Sequence, residues 1–335
     1  MIKKFLALII MVASIIVGGC GDNKSDDKTV AISFANSTSS WQRNGAIMQK
    51  ALEDDGFKVD IQYADNSQQQ IDHIKELIES KPKCIVIGAI DSKALAEPLE
   101  AAKENNIPII AFDRIIFDTD ALSYYASYDN EAIGSAMAEY FEAALNLKNG
   151  GGAYNIEFFA GAPTDNNAHV FFKNSMEILE PYLKTGQLVC QSKQTDFNSV
   201  AVADWDSKNA RTRIKQLLDN YYSSGQPLQV VLSPNDDIAG VILEEMRSRG
   251  MPAPLISGLD ADPEAIKRIK AGQQTFTISK DPELLTNRCV RMIKAVVEGT
   301  QPSINDVKTY DNGKKIVPSY LCTPYIIDKT NIDAY

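Results

Sequence analysis

The sequence predicts an α/β protein made of two doubly wound, parallel-sheet domains. Three observations predict it. Short β-rich runs alternate with helix-period stretches from residue 29 onward. Some of those runs are apolar on both faces, as strands covered on both sides must be. And 335 residues exceed one domain of ordinary size but suit two.

The elements follow in order. "TVAISFA" (29–35) is the first strand, and "WQRNGAIMQKALEDDG" (41–56) has helical spacing and stops at Gly56, a good helix C-terminus. "KVDIQYA" (58–64) is the second strand. In "QIDHIKELIES" (70–80), Ile71, Ile74, Leu77 and Ile78 share one helix face. "CIVIGAI" (84–90) is a buried strand; a helix and then "IPIIAF" (107–112) complete the first block. In the second block the strands are 154–161, 187–192, 228–234 and 254–260. The helices cover roughly 166–183, 206–223, 236–249 and 262–271.

Ligands of such sheets bind outside the carboxyl ends of the strands. Polar side chains gather at those ends. Trp41 follows the first strand. Asp113 and Arg114, an acid and a base side by side, follow 107–112 between two apolar runs. Burying such charges is costly unless they are paired and hydrogen-bonded, so the adjacent ion pair reads as a ligand clamp rather than a surface turn. Asp165, Asn166 and Asn167 follow 154–161, and Trp205 follows the loop after 187–192. Asn235 follows 228–234, Asp260 ends the next strand, and Lys280 closes "TFTISK". Each residue also has a plain structural reading: "DNN" makes an Asx turn and helix cap, "SPND" starts a helix, and either tryptophan packs in a core. Their shared placement is the stronger signal. Carboxylates, amides, a guanidinium and two aromatic rings are what a sugar needs, hydroxyl partners at its edge and flat surfaces for its C–H faces.

Other chemistries find little support. The chain has no GxSxG, no GxGxxG, and "NGGG" (149–152) lacks the G-K-[ST] of a phosphate loop. With only His73 and His169, and cysteines too dispersed for a zinc site, neither a metal, a cofactor nor a catalytic residue is expected. Net charge of −10 argues against nucleic acid as partner. At the start, "MIKK", an apolar run "FLALIIMVASIIV" too short to span a bilayer, and "VGGC" read as a lipoprotein signal peptide (1–19) with Cys20 lipidated. Residues 20–28 then form a tether. That lipid would be the only contact with a membrane.

Taken in order, "IPIIAFDRII", "SYYASYDNEAIG", "GAPTDNNA", "LSPNDDIAG", "SGLDAD" and "VPSYLCTP" carry a resemblance. The chain resembles the sugar-binding proteins of bacterial ABC importers, of the type I periplasmic-binding fold. It is most similar to xylose-binding and multiple-sugar-binding receptors, from about residue 29 to 332. The resemblance implies a three-crossover hinge near Ser127, Ser279 and Pro318. The N-terminal domain would then be 29–127 plus 280–317 and the C-terminal domain 128–279 plus 318–335. It implies ligand contacts from Asp113 and Arg114, from Asp165 and Asn167 on the second domain, and from Asn235, Asp260 and Lys280 deeper in the cleft. Trp205 and Trp41 would stack on opposite sugar faces. It implies a monomer, exported to the periplasm or the outer face of the cell membrane, that captures a monosaccharide (aldopentose or aldohexose) without catalysis and hands it to an ABC permease. The alternative is a sugar-sensing receptor for chemotaxis or a sensor kinase. A repressor of the same fold would need a helix-turn-helix where the signal peptide stands. Two positions depart from the relatives' pattern: Ser40 where an Arg often precedes the tryptophan, and Leu259 where "SGQDAD" has Gln. Arg43, two residues past Trp41, is read as facing away.

Overall fold

The computed structural model describes residues 28–35 and 39–335, so the signal peptide, Cys20 and nearly all of the tether lie outside the described residues. The first half runs β1 (Thr29–Ala35), α1 (Ser39–Asp54), β2 (Lys58–Ala64), α2 (Ser67–Glu79), β3 (Cys84–Ile87), α3 (Ala96–Glu104), β4 (Ile109–Phe112) and β5 (Leu122–Tyr128). The second runs α4 (Asn130–Ala144), β6 (Tyr154–Phe158), α5 (Asn166–Thr185), β7 (Leu188–Val189), α6 (Phe197–Val200), α7 (Ser207–Tyr221), β8 (Val230–Leu232), α8 (Asp236–Ser248), β9 (Leu255–Ile256), α9 (Pro263–Lys270) and β10 (Phe276–Ser279). The chain finishes with α10 (Pro282–Val297), β11 (Ser319–Cys322) and β12 (Tyr325–Asp328).

The strands form two open sheets. The first has the order β11-β5-β4-β3-β1-β2 and is parallel throughout. The second is the parallel set β7-β6-β8-β9, which a bridge between Leu259 and Ile278 joins to the antiparallel pair β10-β12. β3 and β4 are buried along their whole length, as central parallel strands must be. Helices cover both faces: Ile74, Leu77 and Ile78 of α2 are buried on one side of the first sheet, and α1 packs with α10 on the other. Helix starts are written into the sequence. Asp129, Asp165, Asp206 and Asn235 each accept a backbone N–H at the start of α4, α5, α7 and α8.

The strands are shorter than the sequence reading, because their last residues continue past the regular ladder as loops at the carboxyl ends of the sheets. Gly88 to Ile90, Phe159 to Gly161 and Ser257 to Asp260 all lie past the strand ends. β5 and its helix α4, together with α10, β11 and β12, were not read from periodicity. The chain crosses between halves three times, but not all where the resemblance put it. Ser319–Cys322 pairs with Tyr125–Tyr128 in the first sheet. The last crossing therefore falls between Cys322 and Tyr325, past the expected Pro318. The first falls at Asp129, beyond β5, since α4 packs on α5 and stacks Tyr140 on Phe276 at 4.1 Å. The second lies at Lys280 and Asp281, between β10 and α10.

Candidate functional site

A cavity of about 380 Å³ lies between the halves at the carboxyl ends of both sheets, and all nine residues singled out above line it: Trp41, Asp113, Arg114, Asp165, Asn167, Trp205, Asn235, Asp260 and Lys280. The volume falls in the range of small-molecule sites.

Asp113 and Arg114 do not pair with each other, contrary to the sequence reading. Asp113 has φ of 62°, a left-handed conformation uncommon for a residue with a Cβ. That turn sends the neighbouring side chains apart, and each finds a partner elsewhere. Arg114 Nε lies 2.8 Å from Asp165 Oδ2 across the cleft, and Arg114 Nη1 donates to Ala89 O at 3.1 Å. Asp113 Oδ1 lies 2.8 Å from Lys280 Nζ at the hinge. All four side chains are at most 15% exposed, so each charge needs its partner. Burial alone would lower the Lys280 ammonium, but the carboxylates of Asp113 and Asp260 outweigh it and hold it above its ordinary value. The strained backbone is clasped: the Asp113 carbonyl accepts from Tyr125 Oη at 2.6 Å, Ser127 Oγ at 2.9 Å and Asn167 Nδ2 at 3.0 Å. Three donors on one oxygen, one of them from the other half, over-determine the turn.

The two tryptophans are mounted alike at their roots. A Cβ on Gly88, just past β3, would fall 2.3 Å from the Trp41 ring; one on Gly161, past β6, would fall 2.2 Å from the Trp205 ring. Only glycine lets either ring lie against its sheet end. Trp41 then packs into Phe34 and Phe112, is 5% exposed, and carries the Arg114 guanidinium 5.4 Å from its ring centroid. Trp205 ends a short 3-10 turn with positive φ and donates from Nε1 to Asp165 Oδ2 at 3.2 Å.

Asp165 combines the plain and the functional readings. One oxygen caps α5 through Asn167 N at 2.9 Å, and the other meets both Trp205 and Arg114. Asn167 accepts from Asn130 at 2.9 Å while it donates to Asp113. Asn235 caps α8 and also faces the cleft. Asp260 has φ of 93°, and burial raises its carboxyl against the pull of Lys280. The loop that carries it is held by Asp236, whose carboxylate accepts from Gln274 at 2.7 Å, Thr277 at 2.8 Å and Asp262 N at 3.0 Å. Burial pushes the Asp236 carboxyl up to about 8 and that of Asp262, which neighbours Asp260, up to about 6.

Sequence reasoning missed Asn44, Tyr128, Phe171 and Leu285, which share the lining with Asp262 of "SGLDAD", and it turned Arg43 the wrong way. A signal for Asn44 existed: it stands three residues after Trp41 on the same helix, hence on the same face. Ser40 and Leu259 do line the cleft.

Two sheets of this order, three crossings and a polar cleft between the halves define a two-lobed solute-binding protein. Residues 30–301 match the family described as "Periplasmic binding protein domain", and the chain belongs to that family. It is 37% identical to the "Multiple sugar-binding periplasmic protein SbpA" of Azospirillum brasilense over 96% of this chain and 92% of that one. It is 32% identical to the "D-xylose-binding periplasmic protein" of Escherichia coli, over 87% of this chain and 84% of its relative. Among solved structures, an ABC transporter solute-binding protein from Clostridium phytofermentans with bound β-D-glucose superposes with a TM-score of 0.88. It is 36% identical, covering 92% of this chain and 96% of that one. These relatives are solute-binding proteins, and this chain is likewise a binding protein and not an enzyme.

Proposed function

We propose that the chain is an exported, lipid-anchored receptor that captures a monosaccharide, an aldopentose or aldohexose, in its cleft and delivers it to an ABC importer. One observation carries this reading: two buried ion pairs, Arg114 with Asp165 and Asp113 with Lys280, share the lining of one cleft with two tryptophans. Each charge has hydrogen-bonding capacity left for hydroxyls, and the rings offer flat apolar surface. The sugars for which the relatives are named point to the same ligand class. Asp113, Arg114, Asp165, Asn167, Asn235, Asp260 and Lys280 hold hydroxyls, and Trp41 and Trp205 flank the ring. Ligand contacts from both walls favour the closed form, whose differential affinity drives closure. Export through the signal peptide, lipid on Cys20 and a monomeric state complete the reading.

Thermal-shift screening of the mature chain against pentoses, hexoses, polyols and inositols tests it. A saturating ligand at a hundred times its Kd stabilises the protein by about 2.7 kcal/mol, so at least one monosaccharide raises the midpoint clearly. No response to any of them overturns the proposal.

A further inference from the structure

The polar side chains of the cleft fall into two sets. In the deeper set Asp113, Arg114, Asp165 and Lys280 are ion-paired, and Asn167 and Asn235 are hydrogen-bonded within the protein. Asn44 and Asp262 differ. Both line the cavity, Asn44 from α1 on the first wall and Asp262 from the start of α9 on the second. The Asn44 amide oxygen is buried and accepts no hydrogen bond. Asp262 occupies the cap position of α9, yet its side chain caps nothing. Arg43, next to Asn44 on the first wall, also lines this cavity, and its charge acts on the Asp262 carboxyl. Ser40, Arg43 and Pro263, all exposed, line the same cavity, which places this end at the mouth. Leu259 and Leu285 supply buried apolar surface in the lining.

Buried polar groups that a protein leaves unmatched call for a specific explanation. We propose that Asn44 and Asp262 form a subsite at the cleft mouth for the exocyclic hydroxymethyl group of an aldohexopyranose, so that a hexose is preferred over the pentose that lacks this group. The inference rests on the monosaccharide reading above and sharpens it. A primary hydroxyl is one donor and one acceptor site pair. It donates to the Asn44 Oδ1 that no protein group meets, and a water bridging from its lone pair donates on to the Asp262 carboxylate. Its methylene packs on the leucines. Burial and the charges of Asp260 and Asp237 raise the Asp262 carboxyl to about 6, while Arg268 and Arg43 pull it back; at neutral pH it is ionised and accepts strongly.

Titration calorimetry with two matched pairs tests the subsite: D-glucose against D-xylose, and D-galactose against L-arabinose. Within each pair the sugars differ only by the hydroxymethyl group. In the wild type the bound hexose is at least about tenfold tighter than its pentose, because a site built for a hydroxyl discriminates against the ligand without it. In Asn44→Ala and in Asp262→Ala the hexose-to-pentose ratio falls to within about twofold of one, at an unchanged melting midpoint. Asp262→Asn, which keeps the shape, separates lost charge from lost packing. Pentose binding as tight as hexose, or an unchanged ratio in both alanine variants, overturns the subsite while leaving the sugar-binding reading intact. A chain that binds no monosaccharide at all overturns both.

Discussion

The two walls of the cleft present the same kinds of group by different means. On the first wall, Trp41 is part of an aromatic core with Phe34 and Phe112, and Arg114 lies over its ring. On the second, Trp205 leans on a hydrogen bond to Asp165, itself a helix cap and an ion-pair partner. The first ring is buried in packing, while the second packs at the edge of the core, stays partly exposed and is tied into a polar network. The difference teaches where stability and binding separate. A packed wall couples its ring to the fold, so damage there unfolds the protein. A networked wall couples its ring to the ion pairs, so damage there costs affinity.

The sharpest way to break the comparison is Arg114→Ala. Arg114 joins the walls, and its loss leaves Asp165 buried without its counter-ion. The expected cost is about 2–5 kcal/mol of ligand affinity, much of it the penalty of the unpaired charge. The protein still folds, because neither sheet depends on the contact. Titration calorimetry with the sugar found by screening reads the loss, and near-wild-type affinity in this variant would falsify the clamp.

The next test sets glycine against glycine. Gly88→Ala drives a methyl into Trp41 within a packed core, and overpacking of this kind costs about 1–3 kcal/mol of stability. Gly161→Ala drives the same methyl into Trp205, whose part-exposed ring packs at the edge of the core and is tied to Asp165 by its hydrogen bond. We expect the first variant to show the larger drop in thermal midpoint and the second the larger loss in affinity, on the order of tenfold for a hydrogen bond and a ring contact together. Equal partition between midpoint and affinity in both would mean that the walls are built alike.

How far the sequence discloses this follows from the range of each interaction. Periodicity reports local burial, so the alternation of strands and helices and the gathering of Asp113, Asp165, Asn235 and Asp260 at strand ends are legible. Pairing across the cleft is not. Adjacent in sequence, Asp113 and Arg114 read as an ion pair, yet the left-handed turn at Asp113 separates them, and their partners stand 167 and 51 positions away at Lys280 and Asp165. β11 has no local signature that assigns it to the first sheet. It arrives after a long loop, and only the register with Tyr125–Tyr128 decides it. Asn44 follows the polar Gln42 and Arg43, and its three-residue spacing from Trp41 is the one local mark of a cleft-facing amide.

The smallest effect concerns the second wall's foundation. Asp236 is 1% exposed and accepts three hydrogen bonds that fix the loop bearing Asp260 and Asp262. Burial pushes its carboxyl up to about 8, against an ordinary value of about 3.9 in the unfolded chain. Between those values the folded protein keeps a proton that the unfolded chain has released. Stability from this group is therefore complete below about pH 4 and drains away as pH rises toward 8. In Asp236→Asn the uncharged amide has no such slope. Calorimetric melting from pH 5 to 8 should show the wild-type midpoint falling relative to the variant, even if the variant is the less stable of the two at pH 5. A gap that stays constant with pH would mean that the three donors keep the carboxylate ionised throughout. The second wall would then rest on a buried charge, as the ion pairs above it do.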